Sequence, residues 1–103
     1  MPRPLRRRAA RGPRLDRGRV AVAFCGDEAV LLDLQTYRAT RANAVAARTL
    51  ALLDGTRPVA TIARVLAAEF GVAAVRARVD VAALLAALER RGFLEPRRGP
   101  RGG

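Results

Sequence analysis

The side chains that carry out enzyme chemistry are scarce in this chain of 103 residues. It contains no His, Ser or Lys, so its one Cys has no imidazole beside it to act as a base. A zinc site needs about four Cys, His or carboxylate ligands, which one Cys without His cannot supply. Gly26, Gly55, Gly71 and Gly92 stand singly, so no glycine-rich phosphate loop is present. Paired carboxylates remain possible, but the acidic residues are scattered along the chain. We therefore predict no catalytic residue, metal or cofactor, and a function based on binding.

The net charge of +11 is concentrated at the two ends of the chain. Residues 1–19 carry eight Arg and one Asp, residues 96–103 carry three Arg, and residues 20–95 carry nine Arg against eight acidic residues. Both ends are rich in Pro, Gly and Arg and hold too few large apolar residues to bury. We predict disordered tails at 1–19 and 96–103 around one folded domain at 20–95. GC-rich coding explains the Arg bias, and weak nonspecific nucleic-acid contact by the tails is the alternative.

The sequence gives no sign of export or of a membrane partner. Arg6, Arg7 and Arg8 are not followed by the apolar run of ~7–15 residues that a signal peptide needs. No stretch approaches the ~20 apolar residues of a membrane span. The lone Cys25 falls in an alternating pattern, which predicts a buried or half-buried side chain rather than a reactive thiol. We expect a cytoplasmic protein.

Apolar periodicity predicts an α+β fold in which a three-stranded antiparallel sheet precedes three helices. Residues 20–25 and 30–34 alternate with a period of two, with turn residues between them. Residues 38–41, after a turn at 35–37, form a short third strand with little apolar content. Such a strand belongs at the edge of the sheet, where its outer N–H and C=O groups are unpaired.

Cap signals and helical spacing predict the bounds of the three helices. Asn43 is a suitable N-cap for a helix over 44–53 that Asp54-Gly55 ends. Pro58 fits the first turn of a second helix that Gly71 ends, and a third helix covers 74–91. This order predicts a small winged-helix-like domain. The expected core residues are Val45, Leu52, Leu53, Val59, Ile62, Ala63, Leu66, Phe70, Val81, Leu84, Leu85 and Leu88, with Phe93 and Leu94 folded back as a cap.

An edge strand beside a helix invites β-augmentation, in which a bound peptide adds a strand to the sheet. The wall would be the non-core side of the third helix, where small side chains let a peptide approach and arginines attract acidic residues. The arginines are alternatively a solvated surface, and Asp80 alternatively pairs with Arg76 one turn away. The candidate peptide-binding residues are Arg38, Ala39, Thr40, Arg41, Arg76, Asp80, Ala83 and Ala87, with Ala77 and Arg91 also on this side.

Several short motifs between residues 22 and 95 together resemble the PqqD-like peptide-recognition domain, or RiPP recognition element. The resemblance implies three antiparallel strands, three helices and no catalysis. It also implies that the domain grips the leader segment of a ribosomally made precursor peptide and presents it to modifying enzymes. In lasso-peptide pathways a free-standing domain of this kind works with a leader peptidase and a cyclase. The motifs are Leu31-Leu32-Asp33-Leu34, Asn43, Leu52-Leu53-Asp54-Gly55, Ile62, Leu66, Asp80-Val81, Leu84, Leu85, Leu88 and Gly92-Phe93-Leu94.

The chain departs from the family pattern around the third strand. Tyr37 stands where the family usually has Gly, and a Tyr at positive φ is strained, so a different turn is expected. Ala39, Thr40 and Ala42 replace larger side chains, and Thr49 replaces an aliphatic residue. The smaller side chains indicate a peptide with bulkier residues, weaker binding, or drift of the gene.

DNA binding is the alternative function. The second and third helices, joined at residues 71–73, have the order of a helix-turn-helix, and the strands would be its wing. A recognition helix presents polar side chains to base edges near its start. The third helix offers Arg76 and Arg78 and then Asp80 and alanines, with no Asn, Gln, Ser or Thr. Peptide recognition is therefore the favoured hypothesis.

Overall fold

The computed structural model describes residues 11–96. In this part of the chain the elements are β1 (Val20–Cys25), β2 (Glu28–Asp33), β3 (Ala39–Ala42), α1 (Ala44–Ala51), α2 (Val59–Phe70) and α3 (Ala74–Arg90). The predicted α+β fold, an antiparallel three-stranded sheet followed by three helices, is confirmed. The third strand begins one residue later than predicted, α1 ends two residues earlier and α3 ends one residue earlier.

The sheet has the order β1-β2-β3, with β2 in the centre. Its buried face carries Val20, Ala29 and Leu31, and the helices pack on this side. The prediction that Cys25 is buried or half-buried is wrong, because this thiol is exposed. Successive side chains of a strand point to opposite faces. Cys25 therefore shares the outer face with other exposed residues of β1 and lies on the side away from the helices.

The turn between β2 and β3 contains Tyr37 in the left-handed region, with φ at 61°. Among residues 11–96 it is the one non-glycine residue with positive φ. The expected change of turn does not occur, because Asp33 holds the backbone in place. The Asp33 carboxylate accepts from the N–H of Gln35 at 2.8 Å, and its carbonyl accepts from the N–H of Tyr37 at 2.7 Å. The Tyr37 side chain is 75% exposed, so this strained residue contributes little burial.

Two of the helix caps follow the predicted signals, but α1 ends at Ala51 with Leu52 as its C-cap, before Asp54-Gly55, and Pro58 is the N-cap of α2 rather than part of its first turn. The Asn43 side chain accepts from the N–H of Ala46 at 2.9 Å, which confirms this N-cap. Gly71 ends α2 in the left-handed conformation, with φ at 65°, which residues with a side chain avoid. Phe93 folds back under the sheet and is fully buried, as predicted. Ala77 was expected on the groove wall of α3, but it is buried in the core, because it shares a helix face with Val81.

The segment before β1 belongs to the folded unit, although the sequence predicts a tail over residues 1–19. Leu15 is 3% exposed and sits in the core. Its N–H donates to the carbonyl of Leu53 at 3.1 Å, and the N–H of Asp16 donates to the carbonyl of Phe93 at 2.7 Å. A single Leu among Arg, Pro and Gly has no periodicity to reveal this packing. The rest of the predicted tails, residues 1–10 and 97–103, lies outside the described residues.

Candidate functional site

The outer edge of β3 carries main-chain groups that no strand in the described part of the chain pairs with. Their direction follows from the β2–β3 ladder. The N–H of Asp33 donates to the carbonyl of Arg38 at 2.9 Å, and Leu31 lies opposite Thr40. Because hydrogen-bonded pairs alternate along an antiparallel ladder, Thr40 bonds inward to Leu31. The N–H and C=O groups of Ala39 and Arg41 therefore point outward from the sheet.

The C-terminal end of helix α3 lies beside this edge and forms the second wall of a groove. The guanidinium of Arg91, just after α3, donates to the Thr40 hydroxyl at 3.3 Å, so this end of the helix lies beside β3. Asp80 and Ala87 lie on the same stripe of α3 as Arg91, since spacings of seven and four residues return to one helix face. We call the space between Ala39–Ala42 and this stripe the β3–α3 groove.

A small apolar cleft lies near the start of α3. Its lining comes from all three helices and the turn before α3, with one carboxylate at the rim. The space suits an apolar side chain rather than a charged one, because a buried charge without a partner is costly. The lining residues are Val45, Leu66, Phe70, Val72, Ala77 and Asp80.

The predicted residues of the edge strand are all exposed. Arg38, Ala39, Thr40 and Arg41 lie on or next to β3. Arg41 makes an ion pair with Glu28 at 3.1 Å, across the sheet. The surface pair leaves 83% of the Arg41 side chain accessible, and such exposed pairs contribute at most about 1 kcal/mol. Arg41 thus remains available to another acidic group.

The predicted residues of α3 also lie on its surface, except for Ala77. Arg76 and Asp80 form the local ion pair that the sequence offered as their alternative role, at 3.2 Å. Ala83 is exposed and Ala87 is half-buried. Both are short side chains, so they leave room above α3. Contact of any of these eight residues with a peptide stays a prediction.

Arg91 is the residue of the groove that sequence reasoning left out of its candidate set. Its guanidinium lies over the ring of Phe93, 4.8 Å from the centroid, in addition to its bond with Thr40. The carbonyl of Arg91 accepts from the Arg19 side chain at 3.0 Å. The sequence did indicate that Arg91 lies on the same helix face as Asp80, because the two residues are eleven positions apart. The stacking on Phe93 could not be read from spacing, because it depends on how the chain turns back after α3.

The carboxylate of Asp33 orients the turn that leads into β3. The N–H groups of Gln35 and Thr36 donate to it and hold its pKa below the usual value, while burial acts in the opposite direction. Hydrogen bonds to a carboxylate favour its charged form. Asp33 is therefore ionised at neutral pH, and the turn is held by charge-assisted bonds.

The groove offers main-chain hydrogen-bonding groups, short side chains and positive charge. Within residues 11–96 no three His, Cys, Asp or Glu side chains come together to hold a metal ion. The helices of this part of the chain are too short or too polar to cross a bilayer. An open strand edge beside a helix is an arrangement that binds an extended peptide.

Comparison with known proteins agrees with this geometry. The family model described as coenzyme PQQ synthesis protein D (PqqD) matches residues 28–94, from the start of β2 to the end of the domain. The chain belongs to the PqqD family. No match was found among curated protein sequences.

Two solved structures of PqqD-like proteins superpose on this domain. TbiB1, in complex with the TbiA(beta) leader peptide, is 29% identical, with a TM-score of 0.72 over 82% of this chain and 98% of that chain. The PqqD truncation of Methylobacterium extorquens PqqCD is 30% identical, with a TM-score of 0.66 over 82% of this chain and 88% of that chain. The latter is described as a functional, stand-alone RiPP recognition element.

Proposed function

We propose that this PqqD-family domain binds the leader segment of a ribosomally made precursor peptide as a fourth strand on β3, without catalysing a reaction itself. The observation that carries the proposal is the open edge of β3, where the main-chain groups of Ala39 and Arg41 point outward beside α3. The similarity to TbiB1, which was solved with a leader peptide, supports the same role here.

The β3–α3 groove suits a peptide in two ways. Main-chain hydrogen bonds to the edge, worth about 0.5–1.5 kcal/mol each, bind without regard to sequence. Alternate peptide side chains then face α3, where Ala83 and Ala87 leave space and the apolar cleft accepts a larger group. The short side chains of β3 fit a peptide whose own side chains are bulky.

The bound leader would be presented to a modifying enzyme, either a leader peptidase or a cyclase. PqqD-like proteins act as recognition domains, as the Methylobacterium extorquens truncation illustrates. A pathway that makes lasso peptides, and a cytoplasmic location, are our expectations for this protein. Both follow from the resemblance and from the lack of an export signal in the sequence.

The groove supports peptide recognition better than the alternative of DNA binding. α2 and α3 have the order of a helix-turn-helix, but the exposed start of α3 is apolar. Val75 is 70% exposed and Val79 is 61% exposed. Valine has no group that hydrogen-bonds a base edge, so only Arg76, which pairs with Asp80, and Arg78 are polar at the start of α3. DNA contact would then rest mainly on phosphate attraction, which salt weakens steeply.

A titration tests this proposal. The full chain is added to the fluorescein-labelled leader peptide of a precursor encoded beside its gene, and anisotropy is measured at moderate salt. We expect a Kd in the micromolar range or below. A labelled DNA duplex of random sequence is the control, and its binding should disappear as salt is raised while leader binding persists. Absence of leader binding at tens of micromolar would refute the proposal.

A further inference from the structure

Arg91 is held in a fixed position at one end of the β3–α3 groove. Its guanidinium rests over the fully buried ring of Phe93, 4.8 Å from the centroid. Stacking of this kind limits the motion of a side chain that otherwise has many rotamers. The Arg91 main chain is fixed as well, because its N–H donates to carbonyls of the last turn of α3. The charge is thus placed before any ligand arrives, which lowers the entropy cost of binding one.

Among the described residues, the Arg91 guanidinium makes one side-chain hydrogen bond, to Thr40. Its contact with the Thr40 hydroxyl is 3.3 Å long and joins a charged group to a neutral one. Five ion pairs form among residues 11–96, and none of them includes Arg91. A guanidinium has five N–H groups in a planar fork that matches a carboxylate. None of the described residues supplies a carboxylate to Arg91, so this end of the groove has room for one from a ligand.

A strand added to β3 would bring a side chain to this place. Thr40 lies opposite Leu31, whose side chain is buried against the helices, so the Thr40 side chain is on the same face of the sheet, where it meets Arg91. In an antiparallel strand pair, the residue opposite Thr40 faces the same side, with its Cβ roughly 4.5–5.5 Å from the Thr40 Cβ. A carboxylate at that position lies within reach of the guanidinium.

We propose that Arg91 recognises an acidic side chain of the bound peptide, opposite Thr40, so that the leader carries Asp or Glu at one defined position. This inference rests on the proposed function and adds a chemical rule for the ligand. The carboxylate accepts hydrogen bonds from N–H groups of Arg91 that now face the Thr40 hydroxyl and solvent. Charge-assisted pairs of Arg with a carboxylate are about twice as strong as neutral hydrogen bonds.

The apolar cleft limits the spacing of this rule. It is lined by Val45, which follows β3 in the chain, and by Ala77 and Asp80 of α3. Peptide side chains face α3 at every second position, about 6.6 Å apart along the strand. An apolar side chain that enters the cleft should therefore lie an even number of residues from the acidic one.

Selection from a random library tests the rule without knowledge of the natural leader. Fifteen-residue peptides displayed on phage are selected on the immobilised full chain, in parallel with R91Q and R90Q. Arg90 is the matched control, because it is exposed, adjacent and changes the charge equally. Peptides from the unaltered protein and from R90Q should share Asp or Glu at an even spacing from an apolar residue. Selection on R91Q should lose the acidic preference and keep the apolar one.

Affinities of one selected peptide give the second measurement. R91Q should weaken binding by about 10-fold or more, and R90Q by less than about 2-fold. Changing the acidic residue of the peptide to its amide should weaken binding to the unaltered protein and have little further effect on R91Q. Thermal unfolding of R91Q, compared with R91K, separates a loss of binding from a loss of stability.

The outcomes distinguish this inference from the function on which it rests. Selected peptides that bind the β3 edge with no acidic preference would overturn the role of Arg91 and leave leader recognition intact. Equal losses of affinity in R90Q and R91Q would also overturn it, because they would report net charge only. Failure to select any peptide on the unaltered protein would refute the proposed function itself, and the inference with it.

Discussion

Replacing Ala39 by Pro should weaken leader binding and leave the fold in place. Proline removes the one N–H that Ala39 directs outward and is tolerated on edge strands where that N–H faces solvent. A leader carbonyl that loses this donor is left unsatisfied in the groove, which costs about 1–3 kcal/mol. The expected rise in Kd is therefore ~5- to 150-fold.

Two neighbouring variants make this prediction specific. Thr40→Pro removes an N–H that bonds inward to Leu31, so it should lower the thermal midpoint, by roughly 4–8 °C for each kcal/mol lost. Ala39→Val adds bulk at the same position and keeps the N–H, so it should bind the leader nearly as well as the unaltered protein. Anisotropy titration gives the affinities, and circular dichroism during heating gives the stabilities.

The opposite pattern would refute the directions assigned to the Ala39 and Thr40 N–H groups. If Ala39→Pro unfolded the domain and Thr40→Pro removed binding alone, the ladder would alternate the other way. If both variants folded and bound the leader normally, the peptide would dock elsewhere. Either result is visible in the same two measurements.

Further predictions concern the turn, the N-terminal segment and acid. Tyr37→Gly should raise the free energy of unfolding by about 0.5–1 kcal/mol, because glycine adopts φ near 61° without strain, whereas Tyr37→Ala should give no such gain; equal thermal midpoints would contradict this. Deleting residues 2–19 should destabilise the domain more than deleting residues 2–10, by about 2 kcal/mol or more in urea unfolding, because the longer deletion removes buried Leu15. The lowered pKa of Asp33 means that its contribution to stability is present above about pH 4 and is lost as pH falls through the folded-state pKa; Asp33→Asn should flatten the fall in stability below pH 4.

The order and type of the elements could be predicted from the linear pattern of residues. Alternation in β1, the N-cap Asn43 and the left-handed Gly71 each depend on interactions within a few residues, so the linear pattern contains them. Composition also led to the prediction that the chain has no nucleophile–imidazole pair and no zinc site, because it contains one Cys and no His. The low apolar content of residues 38–41 predicted that the third strand lies at the edge of the sheet.

Which groups face the groove depends on contacts between distant parts of the chain. The direction of the Ala39 and Thr40 N–H groups depends on the register with β2, which a strand sequence does not specify. Leu15 enters the core because the α1–α2 loop and the C-terminal segment supply its hydrogen-bond partners from distant parts of the chain. Arg91 reaches Thr40 because Phe93 turns back under it. These contacts join residues far apart in sequence, so local sequence patterns cannot predict them.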